Sequence, residues 1–109
     1  MLRIGAIVLN VPDTRAGAAF WRQALRYEHA ANRDFLVVPD GAGPRLHLDD
    51  EDRMHLDLWT DSAAEQRAEV ERLISLGATR VEREYPDDAD FVVLADPFGN
   101  LFCIIDTSA

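Results

Sequence analysis

Two short segments of the chain carry histidine and aspartate at the same spacing. Residues 45–49 read Arg-Leu-His-Leu-Asp, and residues 53–57 read Arg-Met-His-Leu-Asp. The alternation of polar and apolar residues predicts two strands, with His47 and His55 on their polar faces. A carboxylate beside an imidazole orients the ring and stabilises its protonated form, so His55 and Asp57 are the candidate catalytic pair. The alternative is a pair of solvated edge strands with ordinary surface ion pairs.

Cys103 is the single cysteine of the chain and a candidate soft ligand. With His47 and His55 it would supply two nitrogen ligands and one sulfur ligand, a set that zinc accepts with a fourth position open. The alternative is a packed strand cysteine, because Cys103 lies in the apolar run 101–105. Attack by the Cys103 thiolate would also need an adjacent base such as His55. The sequence favours no cofactor, and the alternative is a divalent metal (zinc, nickel, iron or manganese) on His47, His55 and Cys103.

A few polar side chains on an otherwise apolar surface are typical of a small-molecule site. Trp59 shares the polar face of the 53–60 strand and is expected to stack on a flat ligand. By strand alternation Asn10 is the polar inward residue of the first strand and a candidate hydrogen-bonding group. The predicted ligand-binding residues are therefore Asn10, His47, His55, Trp59 and Cys103.

The elements that must position these residues repeat within the chain. Residues 34–43 and 90–99 share Asp, Phe, Val, Asp and Gly at matching places, and each is an apolar strand closed by a turn. A strand and a helical stretch precede each of them. Ser62 and Glu65 have the spacing of a capping box, and Gly77 suits the residue after the helix end.

The strands are predicted at 3–11, 34–38, 45–49, 53–60, 90–95 and 101–106, with weaker ones near 28–32 and 79–84. The fold class is therefore α+β, with two copies of a β-α-β-β-β unit. Since about 50 residues bury little core alone, we predict a single domain over 1–109, with module one at about 1–50 and module two at about 51–109. A ferredoxin-like fold, the competing topology, would leave residues 34–49 unexplained.

Five segments together resemble a known group of proteins. They are Val11-Pro12-Asp13, residues 19–25 (Ala-Phe-Trp-Arg-Gln-Ala-Leu), residues 54–58 (Met-His-Leu-Asp-Leu), Leu76-Gly77-Ala78 and residues 96–103 (Asp-Pro-Phe-Gly-Asn-Leu-Phe-Cys). This pattern resembles the vicinal oxygen chelate superfamily, and within it the small glyoxalase-like and bleomycin-resistance-type domains. The resemblance implies two tandem βαβββ modules in a cupped mixed sheet, with helices on the outer face, a ligand cavity inside and frequent dimers.

The resemblance also implies four inward metal positions, normally His or Gln, Glu, His and Glu. In this sequence they fall on Ala6, His47, His55 and Cys103. His55 matches the pattern, His47 and Cys103 are altered but can bind a metal, and Ala6 cannot bind one. We therefore expect a glyoxalase-like small-molecule-binding protein without the full metal site. The alternative is a lyase or isomerase, either metal-dependent through His47, His55 and Cys103 or acid–base through His55 and Asp57. A third hypothesis is an interaction domain whose cavity is filled by its own side chains.

The charge balance limits the partners. The chain has 109 residues, 20 of them acidic and 11 basic, for a formal net charge of −9. Such a surface repels nucleic-acid phosphates and anionic membranes. There is no apolar stretch near the ~20 residues of a membrane span, and no signal-peptide pattern. We expect a cytoplasmic homodimer that binds a small molecule and has neither nucleic acid nor membrane as a partner.

Overall fold

The computed structural model describes all 109 residues. The elements follow the order β1 (Arg3–Asn10), α1 (Thr14–Leu25), β2 (Glu28–His29), β3 (Phe35–Val37), β4 (Arg45–Asp49), β5 (His55–Thr60), α2 (Ala63–Ser75), β6 (Thr79–Arg80), β7 (Phe91–Ala95) and β8 (Leu101–Asp106). The fold class is α+β with two tandem β-α-β-β-β modules, as predicted. Neither helix is long and apolar enough to cross a membrane.

The strands of the first module follow the order β2-β3-β4-β1, and those of the second module follow the order β5-β8-β7-β6. Strand β1 pairs with β4 in parallel and β5 pairs with β8 in parallel. The β2–β3, β3–β4, β6–β7 and β7–β8 pairs are antiparallel. Each module thus contributes four consecutive strands. The predicted strands at 45–49 and 101–106 match the structure, and the two weaker ones are only two residues long.

The chain divides into two compact units, one formed by residues 4–55 and the other by residues 1–3 and 56–109. The division falls inside β5, which runs unbroken from His55 to Thr60. The expectation that both modules make one domain stays a prediction.

In the unit of residues 4–55, helix α1 packs on one face of the sheet. Asp13 caps the helix by accepting a hydrogen bond from the Ala16 amide at 3.1 Å. Ala18 on α1 packs against Leu46 and Leu48 of β4, in a core that also contains Leu36, Trp21 and Tyr27. Because side chains alternate along a strand, this packing places His47 on the face of β4 away from α1.

In the other unit, helix α2 packs on β8 and β5. Ser62 accepts a hydrogen bond from the Glu65 amide at 3.1 Å, as the capping box predicts. The Glu65 carboxylate accepts from the Asp61 amide at 2.8 Å, one residue before the cap. The helix is followed by Gly77 at a φ of 116°, a conformation that favours glycine. The core of this unit contains Val70, Ala78, Leu94 and Ile104, with Leu58 packed against it.

Candidate functional site

Three predicted site residues meet on strands β5 and β8. Asp57 lies directly opposite Cys103 in the parallel β5–β8 register, so their side chains share one face. His55 precedes Asp57 by two residues on the same continuous strand and has the same orientation. The ligand atoms of His55, Asp57 and Cys103 all lie within 4.8 Å of one another, and each residue is partly buried. We call these three residues the β5–β8 group.

The imidazole of His55 is oriented by the backbone. Its Nδ1 atom lies 2.8 Å from the carbonyl oxygen of Arg53. Because a carbonyl oxygen can only accept, Nδ1 carries the proton and the neutral ring has its lone pair on Nε2. A backbone carbonyl on one ring nitrogen is the usual way in which a histidine ligand or base is held. The Arg53 carbonyl thus helps to orient the ring, and Asp57 also lies close to His55.

The face of β4 opposite to α1 carries a second set of polar groups, Arg45, His47 and Asp49, which we call the β4 face. The His47 ring stacks on Phe35 of β3, with centroids 4.2 Å apart and planes inclined by 19°. The Arg45 guanidinium lies 4.0 Å from the centroid of the same phenyl ring. The Phe35 ring therefore contacts two cationic or hydrogen-bonding groups.

Asp49 is a structural residue of this face. Its Oδ1 atom accepts hydrogen bonds from the amides of Glu51 at 2.7 Å and Asp52 at 3.1 Å. These bonds, Glu51 first, lower the pKa of the Asp49 carboxyl, and attraction to His47 and His55 adds to the shift. Asp49 is therefore ionised at neutral pH. The turn that it organises explains why β5 begins at 55 instead of the predicted 53.

Asn10 supports the same turn. It lies opposite Asp49 in the β1–β4 register, and its Nδ2 atom donates to the Asp52 carbonyl at 2.8 Å. Asn10 is exposed. Its Nδ2 atom already has a partner, so a ligand would be bound through the Oδ1 atom. The predicted role of Asn10 in ligand binding stays a prediction.

Trp59 is partly buried on β5, on the face of Asp57 by alternation. The Arg3 guanidinium lies 5.8 Å from its ring centroid and also forms an ion pair with Asp61 at 3.0 Å. Its predicted role as a stacking surface for a ligand stays a prediction.

Sequence reasoning assigned no role to Phe35 or Arg45. Phe35 belongs to the repeated strand motif of residues 34–43, and Arg45 belongs to the polar face of the 45–49 strand. Alternation around buried Leu36 places the Phe35 ring on the face away from the core, and this signal was available in the sequence. Its contact with His47 depends on the antiparallel β3–β4 register, in which the two residues are direct partners.

The model of the family described as the glyoxalase-like domain matches residues 6–105. The chain belongs to the glyoxalase-like domain family. The predicted resemblance to the vicinal oxygen chelate superfamily is thereby confirmed. No curated protein matches the chain.

Solved structures support the glyoxalase-like fold. A structure described as the NAD-dependent benzaldehyde dehydrogenase from Legionella pneumophila has a TM-score of 0.69 at 15% identity, covering 93% of this chain and 96% of that one. A hypothetical protein from Bacillus halodurans has a TM-score of 0.60 at 14% identity, covering 97% and 94%. A glyoxalase/bleomycin resistance protein/dioxygenase superfamily member from Vibrio splendidus has a TM-score of 0.55 at 16% identity, covering 97% and 99%. Likeness at these identities shows the fold alone.

The residues of this glyoxalase-like chain do not fit the metal site that the superfamily resemblance implies. At the first ligand position Ala6 offers only a methyl group, and the residue is 1% exposed. At the last position Cys103 offers sulfur where the pattern has a carboxylate. The ligand atoms that lie close together belong to His55, Asp57 and Cys103. This group contains Asp57, which is not one of the four positions of the superfamily pattern, and it does not contain His47, which is one of them. The result is a softer, three-residue set that differs from a hard, oxygen-rich site.

Proposed function

We propose that this protein is a glyoxalase-like small-molecule-binding protein that does not use the full metal site of its superfamily. The observation that carries the proposal is the buried methyl group of Ala6 at the first ligand position. A substrate that chelates a metal through two oxygens needs a firmly held ion, and this chain has lost one ligand outright. The polar groups of the β4 face and of the β5–β8 group are retained, and they are suited to direct hydrogen bonding.

The side chains favour a ligand with a flat apolar part and hydrogen-bonding substituents. Phe35 and His47 offer stacked rings, and Arg45 offers a guanidinium beside them. On β5, the imidazole of His55 offers a further hydrogen-bonding group for a ligand hydroxyl or amide. Partly buried polar groups of this kind give a ligand both affinity and orientation, because water competes less for them.

Metal analysis of untagged protein tests the proposal. The wild type and a His55→Ala, Cys103→Ser double variant should both contain far less than one metal ion per chain. A library of small aromatic ligands should contain compounds that raise the melting temperature of the wild type, since a ligand that binds only the folded state stabilises it. His47→Ala and His55→Ala should reduce that rise, and a surface variant, Glu84→Gln, should retain it. About one ion per wild-type chain, lost in the double variant, would overturn the proposal.

Catalysis is the second candidate function, and the proximity of His55, Asp57 and Cys103 favours it. As an acid–base site, the group would use Nε2 of His55 to accept a proton, with Asp57 stabilising the imidazolium that forms. As a metal site, its nitrogen, oxygen and sulfur atoms would suit zinc. Either chemistry is compatible with a lyase or isomerase of this superfamily.

Zinc titration separates the metal-dependent form of catalysis from the first candidate. Equilibrium dialysis of the wild type, Asp57→Asn, Cys103→Ser and His47→Gln would be compared at neutral pH. Under the first candidate, all four proteins bind zinc weakly and to a similar extent. Stoichiometric zinc that is lost in Asp57→Asn and Cys103→Ser but kept in His47→Gln would establish the β5–β8 group as a metal centre and favour catalysis.

We also propose that the protein is a cytoplasmic homodimer. The rings of Phe20 and Phe98 are 63% and 90% exposed, and exposed apolar surface of this kind favours self-association. Light scattering after gel filtration should give twice the chain mass of 12.2 kDa. A single-chain mass at working concentrations would contradict the dimer. Cell fractionation would test the location.

A further inference from the structure

A groove on the helix side of the unit of residues 4–55 is lined by three arginines. The cavity has a volume of about 570 Å³, and its charged and polar lining consists of Thr14, Arg15, Arg22, His29, Arg33 and Asp34. We call it the α1 groove. It lies outside the β4 face, because Ala18 at its floor packs against Leu46 and Leu48, on the side of β4 opposite to His47.

The spacing of residues along α1 creates the hollow. Arg15 and Arg22 are seven residues apart, which is about two helical turns, so their side chains project from one face of the helix. Ala18 and Ala19 lie between them and also line the groove. Two small residues between two long ones leave a gap that neither arginine fills, about 10 Å long by the helical rise.

The wall of the groove opposite to α1 is formed by residues 29–34, and two hydrogen bonds hold it in place. His29 donates from Nδ1 to the carbonyl oxygen of Arg33 at 3.2 Å, and the Asn32 side chain accepts from the Asp34 amide at 3.0 Å. These bonds fix the turn that brings Arg33 to the groove. The third guanidinium therefore comes from a different part of the chain than the two on α1, and it approaches them through a defined turn.

None of the three arginines forms an ion pair in the structure, although the chain has 20 acidic residues. Arginines elsewhere do have carboxylate partners, as in the Arg3–Asp61 and Arg80–Glu71 pairs. Asp34 is the one carboxylate of the groove lining, so the lining has a formal charge of +2 with His29 neutral. Three guanidinium groups around one cavity repel each other unless an anion lies between them.

We propose that the α1 groove binds a small molecule through a doubly charged oxyanion group, of the phosphate type. The planar fork of a guanidinium matches the oxygens of a phosphate, and such charge-assisted bonds are stronger than neutral ones. The Thr14 hydroxyl is a further donor at the groove. The volume exceeds that of an inorganic phosphate ion, so the groove has room for an organic part of the ligand as well. This site is independent of the proposed function of the β4 face and the β5–β8 group.

Titration with inorganic phosphate and pyrophosphate at constant ionic strength tests the site. Nitrogen–proton NMR spectra should show saturable shifts confined to the amides of residues 14–22 and 29–34, with affinity of roughly millimolar order for these small probes. Arg15→Gln and Arg22→Gln should each weaken binding roughly tenfold, the cost of one charge-assisted hydrogen bond. Because these side chains are exposed, the variants should keep the wild-type melting temperature.

Arg67→Gln is the matched control, since it removes the same charge from an exposed position on α2. It should leave the phosphate affinity unchanged, as should His47→Ala on the β4 face. Absence of saturable binding up to tens of millimolar would overturn the proposal. So would an equal loss of affinity in Arg67→Gln, because binding would then reflect overall charge and not the groove.

Discussion

The Nδ1 atom of His55 lies 2.8 Å from the carbonyl oxygen of Arg53, the residue two positions before it. This short-range contact connects the turn at 50–54 to the first residue of β5. The turn is held by the Asp49 carboxylate on one side and by the Asn10 amide on the other. The orientation and the tautomer of the imidazole therefore depend on a loop that lies outside the β5–β8 group.

The tautomer of His55 follows from this contact. We expect the neutral ring to carry its proton on Nδ1, with Nε2 unprotonated, since the carbonyl partner accepts a hydrogen bond and cannot donate one. Long-range nitrogen–proton NMR spectra of the imidazole, recorded at alkaline pH, distinguish the two tautomers directly. Signals that show a protonated Nε2 would contradict the geometry described for this site.

The stack of Phe35 on His47 is expected to be visible in solution. The ring of Phe35 lies parallel to the imidazole, so its ring current shields the carbon-bound protons of His47. Phe35→Leu should move those proton resonances downfield while the protein stays folded. Phe98→Leu, at a side chain that is 90% exposed, is the control and should leave them unchanged. Unchanged His47 signals in both variants would exclude a populated stack.

Removal of the Asp49 carboxylate should loosen the turn before β5. Asp49→Ala leaves the Glu51 and Asp52 amides without their acceptor, and the expected loss of unfolding free energy is about 1–2 kcal/mol. Asp49→Asn keeps an acceptor oxygen and should lose clearly less. Urea denaturation measures both values. If the two variants were equally stable, the hydrogen bonds of this carboxylate would not be what stabilises the turn.

Asp96 should make stability depend on pH. Hydrogen bonds from the side chain and amide of Asn100, at 2.8 and 2.9 Å, hold the pKa of Asp96 below its usual 3.8. A carboxyl with a lower pKa in the folded state stabilises the fold above the unfolded-state pKa. That contribution is lost as the pH falls through the folded-state pKa.

Urea unfolding between about pH 5 and pH 2.5 tests this dependence. The wild type should lose stability on acidification, and Asp96→Asn should lose less over the same interval. Asp88→Asn, at an exposed aspartate without a hydrogen-bonded side chain, should behave like the wild type. A slope that is the same in Asp96→Asn and the wild type would contradict the prediction.

The sequence by itself determined the elements and their faces. The polar–apolar alternation in 45–49 and the apolar run that begins at 101 each predicted a strand with the bounds that the structure has. The cap at Ser62 followed from local hydrogen-bonding chemistry within three residues. The separation of Leu46 and Leu48 from His47 is a consequence of the same period.

Tertiary structure alone decided which polar side chains meet. Asp57 lies opposite Cys103 because β5 and β8, far apart in sequence, pair in one particular register. A shift of one residue would turn Cys103 to the other face, and no local pattern encodes the choice. In the same way, the hydrogen bond from the Asn10 amide to the Asp52 carbonyl joins two residues that are 42 positions apart in the sequence. The α1 groove exists only because a turn after β2 brings Arg33 to the arginines of α1. Such juxtapositions are set by long-range packing, which minimises the energy of the whole chain and not of any one segment.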